Sequence, residues 1–531
     1  MISLLIFLLL IMVLIGTLPI LVLVSQFFIA GLHGIYNHYA KCKPYLPRIA
    51  ILIPAWNEAD VLEGTLQRLT QLDYPTDSLR IVIIDDASTD NTQEIVASLA
   101  EKYPGRILSI RRDQGGLGKC HTLNAGLKAV LADSWAEAIM ITDADIVFEN
   151  GTLQKMSRHL ADPEVGAVTC YIKVELKRAN FLNDCIASEY ILSQAIARRA
   201  QNVTHALACM AGGAQLHSRK NIELLGGQIN TTTLAEDTYT TFMTQINHHR
   251  ALFEGNGIVK AEEPNDLLGF WKQRFRWSRG NIQITKKFHY LWFRRGHSSK
   301  LGGIYFGLTW FSTMMMPFTM IMTSVSLIAL LFIDPERSWT LFRMFYIVSS
   351  ISYITSTLLS FAIDPVTMKK CWFSTNMFPG LISIILMFIS ITNILNLDKL
   401  DYMTIHTFTY KDELLLLMNF WVAGCMFFIW LIYRLALIGA PKLLINTLIA
   451  VVGYGPLLCT ITFLAFIAEH RKSSLHWNKT EKVLKQKMPQ LSANAEWNYE
   501  RELQKNIKAE RRFLRDEMLI ITFIIILFWT I

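Results

Sequence analysis

Between Pro54 and Trp277 the chain carries several short groupings whose residue types and spacing suit one kind of chemistry. Pro54-Ala-Trp-Asn-Glu58 and Asp85-Asp86-Ala-Ser-Thr-Asp90 each follow an apolar, β-branched run. Carboxylates at a strand's end can accept hydrogen bonds from a uracil ring and from ribose hydroxyls. The same residues also suit a plain turn, because Asp, Ser and Asn favour turns and helix caps. Asp143-Ala-Asp145 follows the run Ile139–Thr142. Two carboxylates one residue apart can ligate Mg²⁺ or Mn²⁺, hard cations that take oxygen ligands and are often completed by substrate phosphates. Leu234-Ala-Glu236-Asp237 offers a general base for an acceptor hydroxyl, or simply acid at a helix N-terminus, where the macrodipole stabilises it. In Gln273-Arg-Phe-Arg276-Trp277, Arg276 has donors that match phosphate oxygens. Trp277 has an apolar face broad enough to stack on a sugar ring, or to anchor at a membrane surface. Gly115-Gly-Leu-Gly-Lys119 is a Gly-rich loop that can bring Lys119 to a phosphate. It lacks the glycine spacing and the following hydroxyl of a Walker A loop.

The elements that must hold these groups are legible as an alternation. Strands are expected at 48–54, 80–84, 107–110 and 139–142, and helices at 58–71, 89–100 and 120–131. Short buried strands alternating with amphipathic helices predict a parallel sheet covered on both faces. Ligands bind such sheets at the carboxyl ends of the strands, which is where both acidic clusters fall.

Composition divides the chain. The 531 residues are 52% hydrophobic with a net charge of +8. Residues 1–40 contain no Asp, Glu, Lys or Arg, and long apolar runs return after residue 304. A bilayer core takes about 20 apolar residues per helix, so membrane zones are expected on either side of a soluble domain. The first run has no basic start and no clear cleavage site, so it is expected to be an uncleaved anchor rather than a signal peptide. Lys41, Lys43 and Arg48 follow it and place the soluble domain in the cytoplasm. The basic residues gather near the apolar runs, which points to anionic headgroups rather than nucleic acid. The eight cysteines show no C-x-x-C spacing, so neither a disulfide framework nor a zinc site is implied.

Residues 270–295 hold eight Lys or Arg, no acid and many aromatics, a composition suited to the membrane interface. Spans are expected at about 304–333, 341–363, 378–397, 414–438 and 443–468. A polar, mostly basic tail follows, ending in a short apolar run at 518–531. Five spans would leave the tail outside, yet its lysines and arginines argue for inside. Run 378–397, the shortest and opened by Pro379-Gly380, is therefore expected not to cross.

Taken in order, P-A-W-N-E, D-D-A-S, G-K-C-H-T-L-N-x-G, D-A-D, A-E-D and Q-R-F-R-W resemble the processive inverting family 2 glycosyltransferases. That group includes the cellulose, chitin, hyaluronan and poly-N-acetylglucosamine synthases. The resemblance covers about residues 49–280. It implies a GT-A-like, Rossmann-related α/β nucleotide-sugar-binding domain in the cytoplasm, joined to an α-helical transmembrane region in a multi-pass inner or plasma membrane protein. The implied division is an anchor at 1–36, a catalytic domain at 48–265, an interfacial segment at 266–300, a channel region at 301–468, a basic tail at 469–517 and a short apolar segment at 518–531. The resemblance implies that Pro54, Glu58, Asp85, Asp86, Lys119, Asp143 and Arg276 bind the UDP-sugar, with Asp85 and Asp86 on uridine. Asp145, with Asp143, would hold Mg²⁺ or Mn²⁺. Asp237 would be the base, with Glu236 beside it, and Gln273 and Trp277 would meet the acceptor. Implied partners are UDP-N-acetylglucosamine or UDP-glucose, the nascent polysaccharide, the bilayer and an unknown export partner. Ala235 replaces the usual Thr of the T-E-D motif, and Cys120-His121 replace small residues after Lys119. The stretch 476–482 is similar to a W-x-x-T-x-K sequence that lies on the cytoplasmic side in related synthases. A single transfer to a membrane lipid is the nearest rival; a transporter or receptor with a degenerate domain is the remote one.

Overall fold

The computed structural model describes residues 2–176, 180–294, 300–395, 410–472 and 499–530. The stretch 476–482 lies outside them, as do 295–299 of the basic, aromatic segment. Eight strands form one sheet: β1 (Ile49–Ala55), β2 (Leu79–Asp85), β3 (Ile107–Arg111), β4 (Ala138–Ile141), β5 (Val147–Phe148), β6 (Val165–Val174), β7 (Gln215–Ser218) and β8 (Arg250–Ala261). Their spatial order is β3-β2-β1-β4-β7-β6-β8-β5. β3, β2, β1 and β4 are parallel, as the alternation predicts. Ile49, Ile51 and Ile53 are fully buried, so β1 reads as an almost unbroken apolar run.

The other half departs from an all-parallel sheet. β7 runs antiparallel to both β4 and β6, β6 and β8 are parallel, and β5 is antiparallel to β8. The sheet is therefore mixed, with the GT-A-like architecture. In register, Ala55 stands beside Asp85 and Asp85 beside Arg111, so the first acidic cluster is fixed by strand pairing.

Among the described residues four helices are long and apolar enough to cross a membrane: Ile2–Leu32, Ile304–Ile333, Pro335–Ile363 and Asp412–Leu437. Two further pairs are sharply bent. Pro365–Asn376 and Leu381–Ile389 meet at 75°, and Lys442–Val452 and Tyr454–His470 meet at 95°. If each pair is one span, the total is six. The run 443–468, expected as one straight span, is thus broken at Gly453, where φ is +119°. The other bend falls at Pro379-Gly380, and the two bends touch. A Cβ on Gly380 would lie 2.4 Å from the Val452 carbonyl oxygen, and one on Gly453 2.6 Å from that of Pro379. Tyr454 N donates to Phe378 O at 2.9 Å, satisfying a backbone group that a break inside a bilayer would otherwise leave unpaired.

The helix Leu267–Lys287, expected in the membrane interface, packs one face against the apolar helices: Phe270 is fully buried and Trp271 nearly so. Trp271 stacks on Tyr433 at 4.0 Å, and Phe270 packs against Tyr454. Phe288 and Trp292 join Phe242, Phe306 and Trp310 in an aromatic cluster. These rings cement the catalytic domain to the apolar helices. At the other end, one helix, Tyr499–Thr530, runs through the expected boundary at 517/518. Its polar half docks on the end of the first helix through Asn37–Asn506 (2.9 Å) and His33–Glu510 (2.9 Å), and on the α/β domain through Arg199–Glu510 (3.1 Å).

Candidate active site

A cavity of about 770 Å³ opens at the carboxyl ends of the parallel strands. Among its lining residues are Pro54, Glu58, Asp86, Lys119, Asp143, Asp145, Glu236, Asp237, Gln273, Arg276 and Trp277. Every residue the sequence singles out is there except Asp85. Its carboxylate is turned away, accepting from Ser88 N at 3.0 Å and from Arg111 at 2.6 Å. The register that sets Arg111 beside it makes Asp85 a strut for the loop. Asp86 faces the cavity while pairing with Arg112 and accepting from Gly116 N at 3.1 Å. That last bond ties the Gly-rich loop to the first acidic cluster. The loops after β1 and β2 each carry a non-glycine residue in the left-handed region, Asn57 at φ +52° and Ala87 at φ +55°. Such positions cluster where a loop must present its backbone to a ligand.

Lys119 opens the helix Lys119–Leu131 and reaches across the cavity. It pairs with Asp143 and donates to Gly212 O at 3.2 Å. Burial would lower the Lys119 ammonium, but Asp143, Glu236 and Asp237 outweigh it and hold it above its usual range. Thr142 Oγ1 donates to Gly213 O at 2.8 Å, locking the Asp143-Ala-Asp145 turn against the 211–213 loop. A Cβ on Gly213 would meet Ile146 at 2.9 Å and sit 3.6 Å from Asp143 Oδ2, so this loop must be bare to pass so close.

Glu236 and Asp237 form the first turn of the helix Glu236–Ile246. Burial, with Asp237 beside it, pushes the Glu236 carboxyl up, against the pull of Lys119 and Arg276. Asp237 Oδ1 accepts from Thr238 N at 2.7 Å. Elsewhere in the lining, Gln273 Nε2 donates to Glu263 at 3.0 Å. The buried Gln273 Oε1 has no partner among the described residues. The Arg274 guanidinium lies 4.2 Å from the centre of the Trp277 ring and pairs with Glu189 at 2.9 Å.

Sequence reasoning misses a whole wall of this cavity: Glu189, Tyr190, Ser193, Gln194 and Arg198. They lie on or beside a π-helical stretch, Ile191–Ile196, inside a longer helix. Such widened turns often mark functional sites, but they leave no periodic signal in a sequence. The bare 211–213 loop carried a readable clue in its paired glycines.

Comparison with known proteins agrees with this geometry. Residues 50–220 match the family described as "Glycosyl transferase family 2" and residues 138–469 match "Glycosyl transferase family group 2". The "Probable glycosyltransferase YdaM" of Bacillus subtilis is 30% identical over 335 residues, 61% of this chain and 76% of that protein. The "Beta-monoglucosyldiacylglycerol synthase" of Synechocystis sp. is 28% identical over 244 residues, 46% of this chain and 50% of that one. The "Poly-beta-1,6-N-acetyl-D-glucosamine synthase" of Staphylococcus epidermidis is 25% identical over 276 residues, 50% and 64%. The chain thus spans half to two thirds of the length of the last two relatives. With matched sequence running through the sheet, the cavity and the apolar helices, the chain belongs to glycosyltransferase family 2.

Proposed function

We propose that the chain transfers a sugar from a UDP-sugar to a growing β-linked polysaccharide, from the cytoplasmic face of the membrane, by inverting displacement. The observation that carries this reading is that one cavity holds both ends of such a reaction. Residues of the acidic and Gly-rich loops, Gln273 and Trp277, and Glu236 and Asp237 all line it. The helix bearing Gln273 and Trp277 packs on the apolar helix Tyr454–His470, which supports delivery of product toward the membrane.

The donor set near Asp143 and Asp145 is hard carboxylate oxygen, which suits Mg²⁺ or Mn²⁺. Lys119 pairs with Asp143 Oδ1, while Oδ2 faces the gap beside Gly213. When bound there, the ion supplies charge neutralisation for the departing diphosphate. The protein's own groups do the rest. Lys119 and Arg276 bring fixed positive charge to the diphosphate. Asp237 takes the proton from the acceptor hydroxyl, with Glu236 beside it in the first turn of the same helix. Gln273 Oε1 accepts from an acceptor hydroxyl, and Trp277, held in place by Arg274, stacks on the acceptor ring.

Two outcomes are expected. Asp145→Ala loses at least roughly 100-fold in turnover, and its residual activity no longer responds to added Mn²⁺ or Mg²⁺. Wild-type protein stripped with EDTA stops and recovers with either ion; full turnover in EDTA would remove the metal from the mechanism. Trp277→Ala raises the acceptor KM by roughly two- to tenfold and shortens the product, with UDP affinity kept. Unchanged product length would leave Trp277 a packing residue only.

The similarity to a glycolipid synthase favours a second reading, single transfer to a membrane lipid. Purified protein in detergent, offered a panel of UDP-sugars with assay of UDP release and of product size, separates the two. Long chains support polymer synthesis, one sugar per lipid supports the rival, and no UDP release from any donor refutes both.

A further inference from the structure

A second cluster of reactive side chains lies outside the cavity, where the first apolar helix meets the catalytic domain. A single helical turn, His38–Lys41, follows that helix. His38 and Cys42 are four residues apart, so they share a face. Opposite stands His159, from the short turn His159–Ala161. His38 Nδ1 lies 2.8 Å from His159 Nδ1 and 3.4 Å from Cys42 Sγ, and the three ligand atoms all fall within 4.8 Å of one another. His159 and Cys42 are buried and His38 nearly so.

The outer ring nitrogens decide what the inner ones can do. His38 Nε2 faces Asp162 Oδ2 at 2.9 Å, and His159 Nε2 faces Glu254 Oε2 at 2.9 Å. A carboxylate only accepts, so each Nε2 carries its proton there. That tautomer turns both Nδ1 lone pairs toward each other and toward the thiol. Two lone pairs at 2.8 Å repel unless a cation or a shared proton lies between them. Imidazoles whose far N–H is held by a carboxylate are the usual arrangement of metal-binding histidines, and here it occurs twice. Glu254 is itself fixed, accepting from Asn256 N at 2.7 Å and from Asn506 Nδ2 at 3.3 Å.

We propose that His38, Cys42 and His159 form a zinc site that fastens the end of the first apolar helix to the catalytic domain. Two imidazole nitrogens and a thiolate are a borderline-soft set that suits Zn²⁺ and not the hard cations of the Asp143-Ala-Asp145 turn. Tetrahedral ligands at ordinary zinc distances stand about 3.3–3.6 Å apart. The Cys42–His38 spacing of 3.4 Å already meets this, while the two rings, which face each other nearly end to end, would have to part by about half an ångström and tilt toward the thiolate. None of the three residues lines the catalytic cavity, so the ion's work is positional. It holds the helix exit on the layer that also carries Asn506 of the last helix. The sequence signal is the His-x-x-x-Cys spacing, which a search for C-x-x-C pairs passes over.

The test uses full-length protein in detergent, purified without a histidine tag, washed with EDTA and analysed for zinc by mass spectrometry. About one zinc per chain is expected. Cys42→Ser and His38→Gln should each lower the zinc content roughly tenfold at limiting free zinc, while Asp145→Ala leaves it unchanged. Cobalt exchanged into the wild type should show a near-ultraviolet thiolate-to-metal absorption that Cys42→Ser lacks. That band also decides the matter if the variants fold poorly. Wild-type protein that holds no zinc and gives no cobalt band would show a proton-bridged histidine pair and overturn the proposal. Zinc retained equally by both variants would place the ion elsewhere and overturn it too.

Discussion

Asp237→Asn should lose between about 10² and 10⁴ in kcat, with UDP affinity and fold kept. The substitution is isosteric: the amide oxygen can still accept from Thr238 N, as Oδ1 does at 2.7 Å. What disappears is a group able to take the acceptor's proton. Each factor of ten corresponds to about 1.4 kcal/mol of barrier, so the expected loss is about 3–5 kcal/mol. Glu236→Gln separates the roles of the pair. It leaves Asp237 in place to take the proton, so Glu236→Gln should cost less than Asp237→Asn. Single-turnover rates with saturating UDP-sugar make the measurement. Wild-type-like turnover in Asp237→Asn, or a larger loss in Glu236→Gln, would move the base to the other carboxylate.

Glu510→Ala should destabilise the fold by about 3–5 kcal/mol, because it strands a buried cation. Glu510 is 2% exposed. It takes Arg199 at 3.1 Å, His33 at 2.9 Å and Asn256 at 3.0 Å, joining the last helix, the end of the first and the catalytic domain. Burial would raise its carboxyl, but Arg199 and His33 outweigh that and hold it well below the usual carboxylate range. The sign follows from that depression. The contribution is full above the unfolded carboxylate's range and is lost only as pH falls through the lower folded value. Mild acid should therefore spare this junction. Thermal unfolding in detergent and protease cleavage within 499–517 are the measurements. The double change Arg199→Leu with Glu510→Leu should recover much of the loss, since the penalty comes from the uncompensated charge. A drop below about 1 kcal/mol in Glu510→Ala, the size of an exposed pair, would refute the assignment.

The first half of the fold was legible because its physics is local. Each of β1 to β4 is a short apolar run, and the runs at β2 and β4 lead straight into acid; the observed bounds differ from the expected ones by a residue or so. β6 and β8 were not legible. β8 carries Arg250, Glu254 and Lys260, and only its neighbours bury it. The acidic clusters were found by type and spacing. The turn of Asp85 toward Arg111 depends on strand register, which a single sequence does not print. Composition points the aromatic and basic residues after Phe270 to a membrane interface, and it does not show that Phe270 and Trp271 pack on Tyr454 and Tyr433. The break at Gly453 was hidden for a similar reason. Length and hydropathy register an apolar run and are blind to one residue at φ +119°.

The contact between the two bends has a mechanical consequence. Gly380 and Gly453 touch backbone to backbone, with no room for a side chain between them. Tyr454, the residue just past Gly453, hydrogen-bonds Glu189; Glu189 holds Arg274, and Arg274 lies over Trp277. The Trp277 ring and the crossing of the broken helices therefore share one mount. A shift of that crossing would be carried through Glu189 and Arg274 to the Trp277 ring.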